Sequence, residues 1–431
     1  MQTASKKVIN GWAMYDWANS VYNLVITTTF FPAYYAAMTA TSIDKFKHGV
    51  PFLGRTFVNT ELKDYFFSAA YIVIIILSPI LSSIADYKGN KKTFMRVFCY
   101  LGAACCSLMF FFDSDNVIFG LFMLMLACIG FYGSQVFYNS YLPEIAAPAD
   151  QNRVSARGYT FGYIGSVLMQ LIGFGMVLLM PDSSLPLKLS FLLVGLWWAG
   201  FAQITFARLP LGNKAAKEKK HALNNGFVEL RKVWNQLRHM PVLKRFLAAF
   251  LFYSMGVQTV MLVATDFGIK ELKLENATLI LVLVVIQLVA IIGAVVMSRL
   301  SNRIGNINVL AITVLLWVAV CIGGYYTKTA VQFYFLASLV GLVMGGIQSV
   351  SRSTYSKYMP PTQDTASFFS FYDITEKLAI VVGVFSFGLI EGLTHSMRNS
   401  ILILILFFVL GFVCLLFTKQ ALKNKTAYET V

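Results

Sequence analysis

The most informative sequence is Ser82-Ser83-Ile84-Ala85-Asp86-Tyr87-Lys88-Gly89-Asn90-Lys91-Lys92, together with Ser298-Arg299-Leu300-Ser301-Asn302-Arg303-Ile304-Gly305-Asn306. Each stretch follows a long apolar run, and each ends in a Gly-Asn turn with basic residues beside it. The two lie about half a chain apart in a chain of 431 residues. Such self-similarity indicates that one helical unit occurs twice.

The composition is that of a membrane protein. Hydrophobic residues make up 57% of the chain, charged residues only 13%, and the mean hydropathy is +0.67. A water-soluble chain of this length would need more charge on its surface. The cysteines lie within the apolar runs and lack metal-ligand or disulfide spacing, so we interpret them as small buried side chains. They are Cys99, Cys105, Cys106, Cys128, Cys321 and Cys414.

Twelve apolar runs are long enough to cross a hydrocarbon core of about 30 Å. They lie near residues 10–38, 64–85, 93–112, 117–139, 156–180, 188–208, 243–266, 276–299, 307–326, 331–357, 368–391 and 399–418. The first run is too long for a signal peptide and is kept as a span. An even number places both termini on one side, and the excess of Lys and Arg assigns that side to the cytoplasm. In a prokaryote the membrane would be the inner (plasma) membrane.

The chain is therefore predicted to divide into an N-terminal six-helix half (1–208), a basic cytoplasmic linker (209–242) and a C-terminal six-helix half (243–431). The net charge of +15 reflects the cytoplasmic segments, above all this linker, and the linker is too short for a folded nucleic-acid-binding domain. Its apolar residues recur at helical spacing, which fits either an amphipathic helix on the membrane surface or a solvated linker helix. They are Phe227, Leu230, Val233, Trp234 and Leu237.

The two Gly-Asn turns occupy the same place in the two halves, because each closes the second span of its half. The pattern resembles the loop between the second and third helices of the major facilitator superfamily, Gly-x-x-x-Asp-x-x-Gly-Arg/Lys-Lys/Arg. Ser82 replaces its first glycine and Asn90 its first basic residue, and the second copy carries Asn302 in place of the acid. The resemblance implies that the first copy acts as a conformational switch. The matching residues are Asp86, Gly89, Lys91 and Lys92.

The start of span one, Gly11-Trp12-Ala13-Met14-Tyr15-Asp16-Trp17-Ala18-Asn19-Ser20, is similar to the signature of the vacuole-effluxer-like branch of that superfamily, the autophagy-related amino-acid effluxers. Other stretches agree, and the resemblance covers residues 11 to about 390. It implies an all-α integral membrane protein with the major facilitator fold, twelve transmembrane helices in two pseudo-symmetric six-helix halves. The agreeing stretches are Phe137-Tyr138-Asn139-Ser140-Tyr141-Leu142-Pro143-Glu144, Arg153-Val154-Ser155-Ala156-Arg157-Gly158, Gln348-Ser349-Val350-Ser351-Arg352-Ser353, Phe368-Phe369-Ser370-Phe371-Tyr372-Asp373 and Lys377.

Polar residues form faces on spans one, four, seven and ten. A charged side chain at the bilayer centre costs about 2.5–3.5 kcal/mol on insertion scales, so polar residues here need protein partners or water. The resemblance implies that these four spans line a central cavity. Interhelical hydrogen bonds, worth about 0.6 kcal/mol on average, would explain any one residue but explain four faces less well. The candidate solute-binding residues are Asn19, Asn23, Gln135, Tyr138, Asn139, Gln258, Gln348 and Arg352.

Charged residues inside the spans are candidates for ion coupling. Asp16 lies near the cytoplasmic end of span one, where it either pairs with Arg157 or takes part in coupling or solute binding. In span eleven, Asp373 and Lys377 have the favourable i, i+4 order for an ion pair. Glu376 then has no obvious local partner, which makes it a candidate proton carrier. The alternative is a structural triad that clamps the two halves.

Other function classes fit less well. The sequence contains no Gly-x-x-x-x-Gly-Lys-Ser/Thr phosphate loop, which disfavours a primary pump. The four histidines are scattered without metal-ligand spacing, which disfavours a membrane enzyme, and the tail after Lys419 is too short for the signalling domain of a transport-inactive receptor. We therefore predict a secondary active transporter that works by alternating access.

The predicted transporter moves a small polar solute, with amino acids or peptides favoured and export as the direction. A proton gradient or the solute's own gradient would drive it. The expected partners are the solute, the lipid bilayer and, with proton coupling, protons. No cofactor, metal or nucleic acid is expected, and the chain is expected to act as a monomer.

Overall fold

The structure, a computed structural model, describes residues 2–39, 49–181, 184–210, 222–274 and 276–429. Eleven helices in these ranges are long and apolar enough to cross a membrane. A segmented helix over residues 6–38 supplies the first of the twelve predicted spans. The others are Asn59–Lys88, Lys91–Leu108, Val117–Ser140, Gln151–Leu179, Leu185–Arg208, Pro241–Lys270, Asn276–Ile304, Asn306–Tyr326, Ala330–Tyr358, Thr365–Thr394 and Met397–Glu429.

Local sequence explains where several spans begin and end. Pro186 and Pro241 lie in the first turns of spans six and seven, where a missing N–H costs nothing. The Thr329 hydroxyl begins span ten by accepting a hydrogen bond from the Gln332 amide at 3.3 Å. Gly89 ends span two in the left-handed conformation, with φ 60° and ψ 30°. These signals place the observed ends within a few residues of the predicted ones.

Span one departs from the uniform helix that its apolar run predicts. It consists of α-helix over Lys6–Val21, a π-helix over Tyr22–Phe30 and α-helix over Phe31–Met38. Pro32, in the first turn of the last segment, lacks the N–H that an α-helix would use and crowds the carbonyl four residues earlier. The wider π turn relieves that conflict. Since π turns occur frequently at functional sites, this segment is a place to look for solute contacts.

A short β-hairpin precedes span two. Strands β1 (Gly49–Phe52) and β2 (Arg55–Val58) pair antiparallel. Leu53 and Gly54 join them, both with positive φ (48° and 76°), as a two-residue hairpin turn requires. The hairpin was not predicted, because a leucine at the first turn position carries no turn signal.

The chain forms two compact units. The N-unit comprises Lys6–Tyr138 and Phe161–Lys217. The C-unit comprises Met1–Ser5, Asn139–Thr160 and Glu218–Val431. Residues 139–160, which comprise the end of span four, the connection and the first turns of span five, thus pack with spans seven to twelve. The division into two six-helix halves remains a prediction.

The basic linker contains the helix that its periodicity predicts, Ala222–Arg238. Val233 and Leu237 are buried in the C-unit, and Trp234 stacks on Phe371 of span eleven with ring centroids 5.8 Å apart. Val233 and Leu237 therefore contact protein rather than a membrane surface, whereas Trp234 remains 45% exposed beside Phe371. Residues 211–221 of the linker and two further apolar side chains lie outside the described part of the chain, namely Phe227 and Leu230.

Candidate functional site

A charged cluster lies in span eleven. The Lys377 ammonium donates hydrogen bonds to Asp373 Oδ1 and to Glu376 Oε2, each at 2.8 Å. Lys377 and Asp373 are 1% and 4% exposed, so this is a buried ion pair with the predicted i, i+4 spacing. The cluster holds two carboxylates for one ammonium. With all three groups ionised, these side chains carry one excess negative charge.

The expectation that Glu376 has no local partner is wrong. Gln258 of span seven donates from Nε2 to Glu376 Oε1 at 3.0 Å, and Lys377 occupies the other oxygen. By contrast, Asp373 Oδ2 is buried without a hydrogen-bond partner. An ionised carboxylate oxygen without a donor is costly in a low-dielectric interior. Asp373 is therefore the acid of the cluster whose charge is less well compensated.

Arg352 of span ten is at the centre of a second buried network. Its guanidinium donates to Ser155 Oγ at 3.0 Å, to the Ser155 carbonyl at 2.8 Å and to Asn139 Oδ1 at 3.2 Å. It also lies 4.2 Å above the centre of the Tyr159 ring. Arg352 is 1% exposed. In this conformation it ties span ten to residues 139–160, and contact with a solute would require the network to open.

The second Gly-Asn turn lies against the start of span five. The amides of Asn152 and Asn306 exchange two hydrogen bonds of 2.9 Å, and Asn152 also donates to Asn302 Oδ1 at 2.8 Å. Asn302, which replaces the acid of the first copy, thus accepts its hydrogen bond from a neutral amide. Sequence reasoning missed Asn152, Asn306 and Ser155 as tying residues. Two hints were present in the sequence: Asn306 closes the second Gly-Asn turn, and Ser155 belongs to a stretch carrying the family resemblance.

The predicted switch residues share one turn of the N-unit. Lys91 Nζ lies 3.6 Å from Asp86 Oδ1, and both side chains are almost fully buried. Lys92 donates to the Leu209 carbonyl at 2.8 Å, at the end of span six, where unsatisfied carbonyls attract a cation. Gly89 lies between Asp86 and Lys91 in the sequence and adopts the left-handed conformation that ends span two. Their role in switching remains a prediction.

Spans one and four are joined by Asp16. The Tyr138 hydroxyl donates to Asp16 Oδ2 at 2.7 Å. The Trp12 indole donates to the Tyr138 carbonyl at 3.0 Å and stacks on its ring with centroids 4.5 Å apart. Asp16 is 4% exposed, and Tyr138 is fully buried. The proposed pairing of Asp16 with Arg157, an exposed residue of the C-unit, stays untested.

The remaining candidate solute residues differ in burial. Asn19 is fully buried and its Nδ2 has no hydrogen-bond partner. Asn23 lies in the π-helical segment and is partly exposed, as is Gln135. Gln348, also partly exposed, contacts Met261 Sδ at 3.6 Å. Partly exposed amides of this kind can donate to and accept from a polar solute.

The connection between spans four and five is held at both ends. Thr365, the first residue of span eleven, donates to Glu144 Oε1 at 2.7 Å. Thr3 donates to Asp150 Oδ2 at 2.6 Å, and this hydrogen bond holds the pKa of the Asp150 carboxyl below its usual value. Among the described residues, no group of three or more His, Cys, Asp or Glu side chains is placed to hold a metal ion.

The chain matches known transporter families over nearly its whole length. The model of the family described as vacuole effluxer Atg22 like matches residues 4–427. An uncharacterized MFS-type transporter of Bacillus subtilis, YxiO, is 31% identical over 417 residues, which are 95% of this chain and 94% of that protein. Autophagy-related protein 22 of Saccharomyces cerevisiae is 23% identical, and the alignment includes 91% of this chain and 88% of that protein.

Solved structures show the same fold. A bacterial homologue of the iron transporter ferroportin in an outward-facing state matches with a TM-score of 0.68 and 12% identity, covering 96% of this chain and 98% of that one. The fucose:proton symporter of Escherichia coli matches with a TM-score of 0.68 and 16% identity, covering 96% and 97%. These matches confirm the predicted major facilitator fold, and the relatives are transporters rather than enzymes. The chain therefore belongs to the Atg22-like vacuole effluxer family, within the major facilitator superfamily.

Proposed function

We propose that this transporter exports a small polar solute, with amino acids and short peptides as the favoured class. The observation that carries the proposal is that two carboxylates, Asp373 and Glu376, share one ammonium, Lys377, inside a membrane span. With all three groups ionised, the excess negative charge needs a compensating cation. A proton, or the ammonium group of a zwitterionic solute, would supply it and would be released when the transporter changes conformation.

The family description, vacuole effluxer Atg22 like, supports export. The solute class rests on the resemblance of span one to the amino-acid effluxers. Partly exposed amides at Asn23, Gln135 and Gln348 would bind the uncharged parts of the solute. Proton coupling would use the span eleven cluster, and transport down the solute's own gradient is the alternative. The excess of Lys and Arg supports cytoplasmic termini and linker, and a plasma membrane location in a prokaryote.

A thermal-shift screen of the purified protein tests the solute class, because a ligand that binds the folded state raises its stability by mass action. We expect amino acids or dipeptides to raise the unfolding temperature in a concentration-dependent way. Matched compounds that carry only the carboxylate or only the amine serve as controls. Stabilisation by sugars or by dicarboxylates, with no response to any amino acid or dipeptide, would contradict the proposal. Uptake of the labelled hit into proteoliposomes then measures transport.

The resemblance implies that Asp86 docks on the start of span eleven when the inside gate is shut. The helix N-terminus, at Thr365, carries partial positive charge that favours an acid by about 0.3–1 kcal/mol at an exposed end. Asp86→Asn should therefore shift the population towards the inward-open state and reduce transport more than expression. Cysteine accessibility on both faces measures the shift. Lys91→Gln is the control, because an equal effect would assign the result to the local 3.6 Å pair instead.

A further inference from the structure

Residues 2–5 are grouped apart from the helix that follows them. They belong to the C-unit, whereas Lys6, which begins span one, belongs to the N-unit. Residues 2–5 adopt neither helix nor strand, and they lie along residues 141–150, the connection between spans four and five. They are named the latch segment below. The chain thus passes from one compact unit to the other between Ser5 and Lys6.

Three hydrogen bonds join the latch segment to the connection. The Thr3 hydroxyl makes two of them, since it donates to Asp150 Oδ2 at 2.6 Å and accepts from the Ala147 amide at 3.0 Å. The Ala4 amide donates to the Ile145 carbonyl at 2.8 Å. Holding an extended segment in one conformation costs conformational entropy, which these bonds offset. The attachment is therefore specific, and it centres on one hydroxyl.

The carboxylate that accepts from Thr3 is ionised at neutral pH. Arg153 donates to its other oxygen, Asp150 Oδ1, at 2.8 Å. The hydrogen bond from Thr3, with a smaller contribution from the charge of Arg153, holds the pKa of the Asp150 carboxyl below its usual value. A hydrogen bond to an ionised acceptor is roughly twice as strong as one between neutral groups. The bond from Thr3 to Asp150 is thus the strongest of the three.

The connection and the start of span five are also tied to spans ten and eleven. Thr365 donates to Glu144 at 2.7 Å, and Arg352 donates to Ser155 at 3.0 Å. The latch segment differs from these two ties because its own chain continues directly into span one. A displacement of the start of span one therefore pulls on the latch segment.

We propose that the latch segment holds the connection between spans four and five in the position seen here and joins it to the start of span one. The Thr3 hydroxyl carries this function. When its two hydrogen bonds break, the connection and the first turns of span five lose one of three ties and open more often. The latch does not depend on which solute the protein carries.

Cysteine labelling of the full-length protein, in a background without the six native cysteines, tests the latch. Ala156→Cys places the reporter in span five, where Ala156 is 4% exposed, six residues beyond Asp150. The rate of its reaction with N-ethylmaleimide then measures how often this segment opens. Thr3→Val keeps the shape of the side chain and removes the hydroxyl, whereas Thr3→Ser keeps the hydroxyl. Ser5→Ala is the matched control, because it removes an exposed hydroxyl from the same segment.

We expect Thr3→Val to raise the labelling rate about tenfold, the effect of losing one hydrogen bond to a charged group. Thr3→Ser and Ser5→Ala should stay within about twofold of the parent protein. The unfolding temperature, measured on the same samples, should be unchanged. The proposal is overturned if Thr3→Val labels at the parent rate or if Thr3→Ser is as fast as Thr3→Val. A rise in labelling that comes only with a lower unfolding temperature also overturns it, because general unfolding would then expose the reporter.

Discussion

Glu376→Gln should lower gradient-driven accumulation of solute in proteoliposomes at least about tenfold. Exchange of labelled for unlabelled solute should stay largely intact. The substitution removes the excess negative charge of the cluster, because one carboxylate then balances Lys377. Without that charge, no compensating proton is carried through the cycle. Exchange needs no net proton movement and survives. Parallel measurements of accumulation and exchange on one preparation check the prediction.

Glu391→Gln is the matched control for this experiment. Glu391 belongs to the same span and forms an ion pair with Lys270 at 3.2 Å, away from the cluster. It should change neither accumulation nor exchange. If Glu376→Gln lost exchange at normal expression, the residue would be a solute ligand rather than a proton carrier. Solute flux that does not change with pH would exclude the proton role altogether.

Asp373→Asn separates a coupling site from a structural clamp. Lys377 keeps Glu376 as a partner at 2.8 Å, so the loss of stability should be small. Because Asp373 Oδ2 has no hydrogen-bond partner, this acid is the stronger candidate to hold the proton, and Asp373→Asn should also remove accumulation and spare exchange. If the cluster is instead a structural clamp, Glu376→Gln and Asp373→Asn should both lose thermal stability and solute exchange together.

The spans could be predicted from the sequence because each depends on local composition. A run of apolar residues, a proline in the first turn and a glycine beyond the last turn are all visible within one segment. The same holds for the Asp373–Lys377 pair, which lies within one helix turn of span eleven. The π-helical segment of span one could not be predicted, since Pro32 indicates a conflict without indicating how the helix resolves it.

Hydrogen-bond partners that are distant in sequence could not be predicted. Gln258 lies 118 residues from Glu376, and Ser155 lies 197 residues from Arg352. A single sequence shows that each of these side chains is polar in an apolar segment and needs a partner, but not which partner it finds. For this reason Glu376 was expected to lack a partner, and Arg352 was assigned to solute binding without its ties to residues 139–160.

Arg352→Met should loosen residues 139–160, which comprise the end of span four, the connection and the first turns of span five, and lower the stability of the protein. Methionine fills much of the arginine volume but makes none of the hydrogen bonds to Ser155 and Asn139. Leaving buried neutral acceptors without their donor typically costs about 1–3 kcal/mol. Thermal unfolding measures the loss, and hydrogen exchange over residues 139–160 locates it, with faster exchange expected in that segment.

Two matched variants decide what the Arg352 network does. Arg352→Lys keeps the charge but loses the planar fork, so it should fall between the wild type and Arg352→Met. Arg153→Met removes an exposed arginine from the same segment, where it pairs only at the surface with Asp150, and should change stability by less than about 1 kcal/mol. If Arg352→Met left hydrogen exchange over residues 139–160 unchanged, the network would not hold this segment. If it raised exchange there and transport continued, the network would hold this segment in place, and transport would not require Arg352.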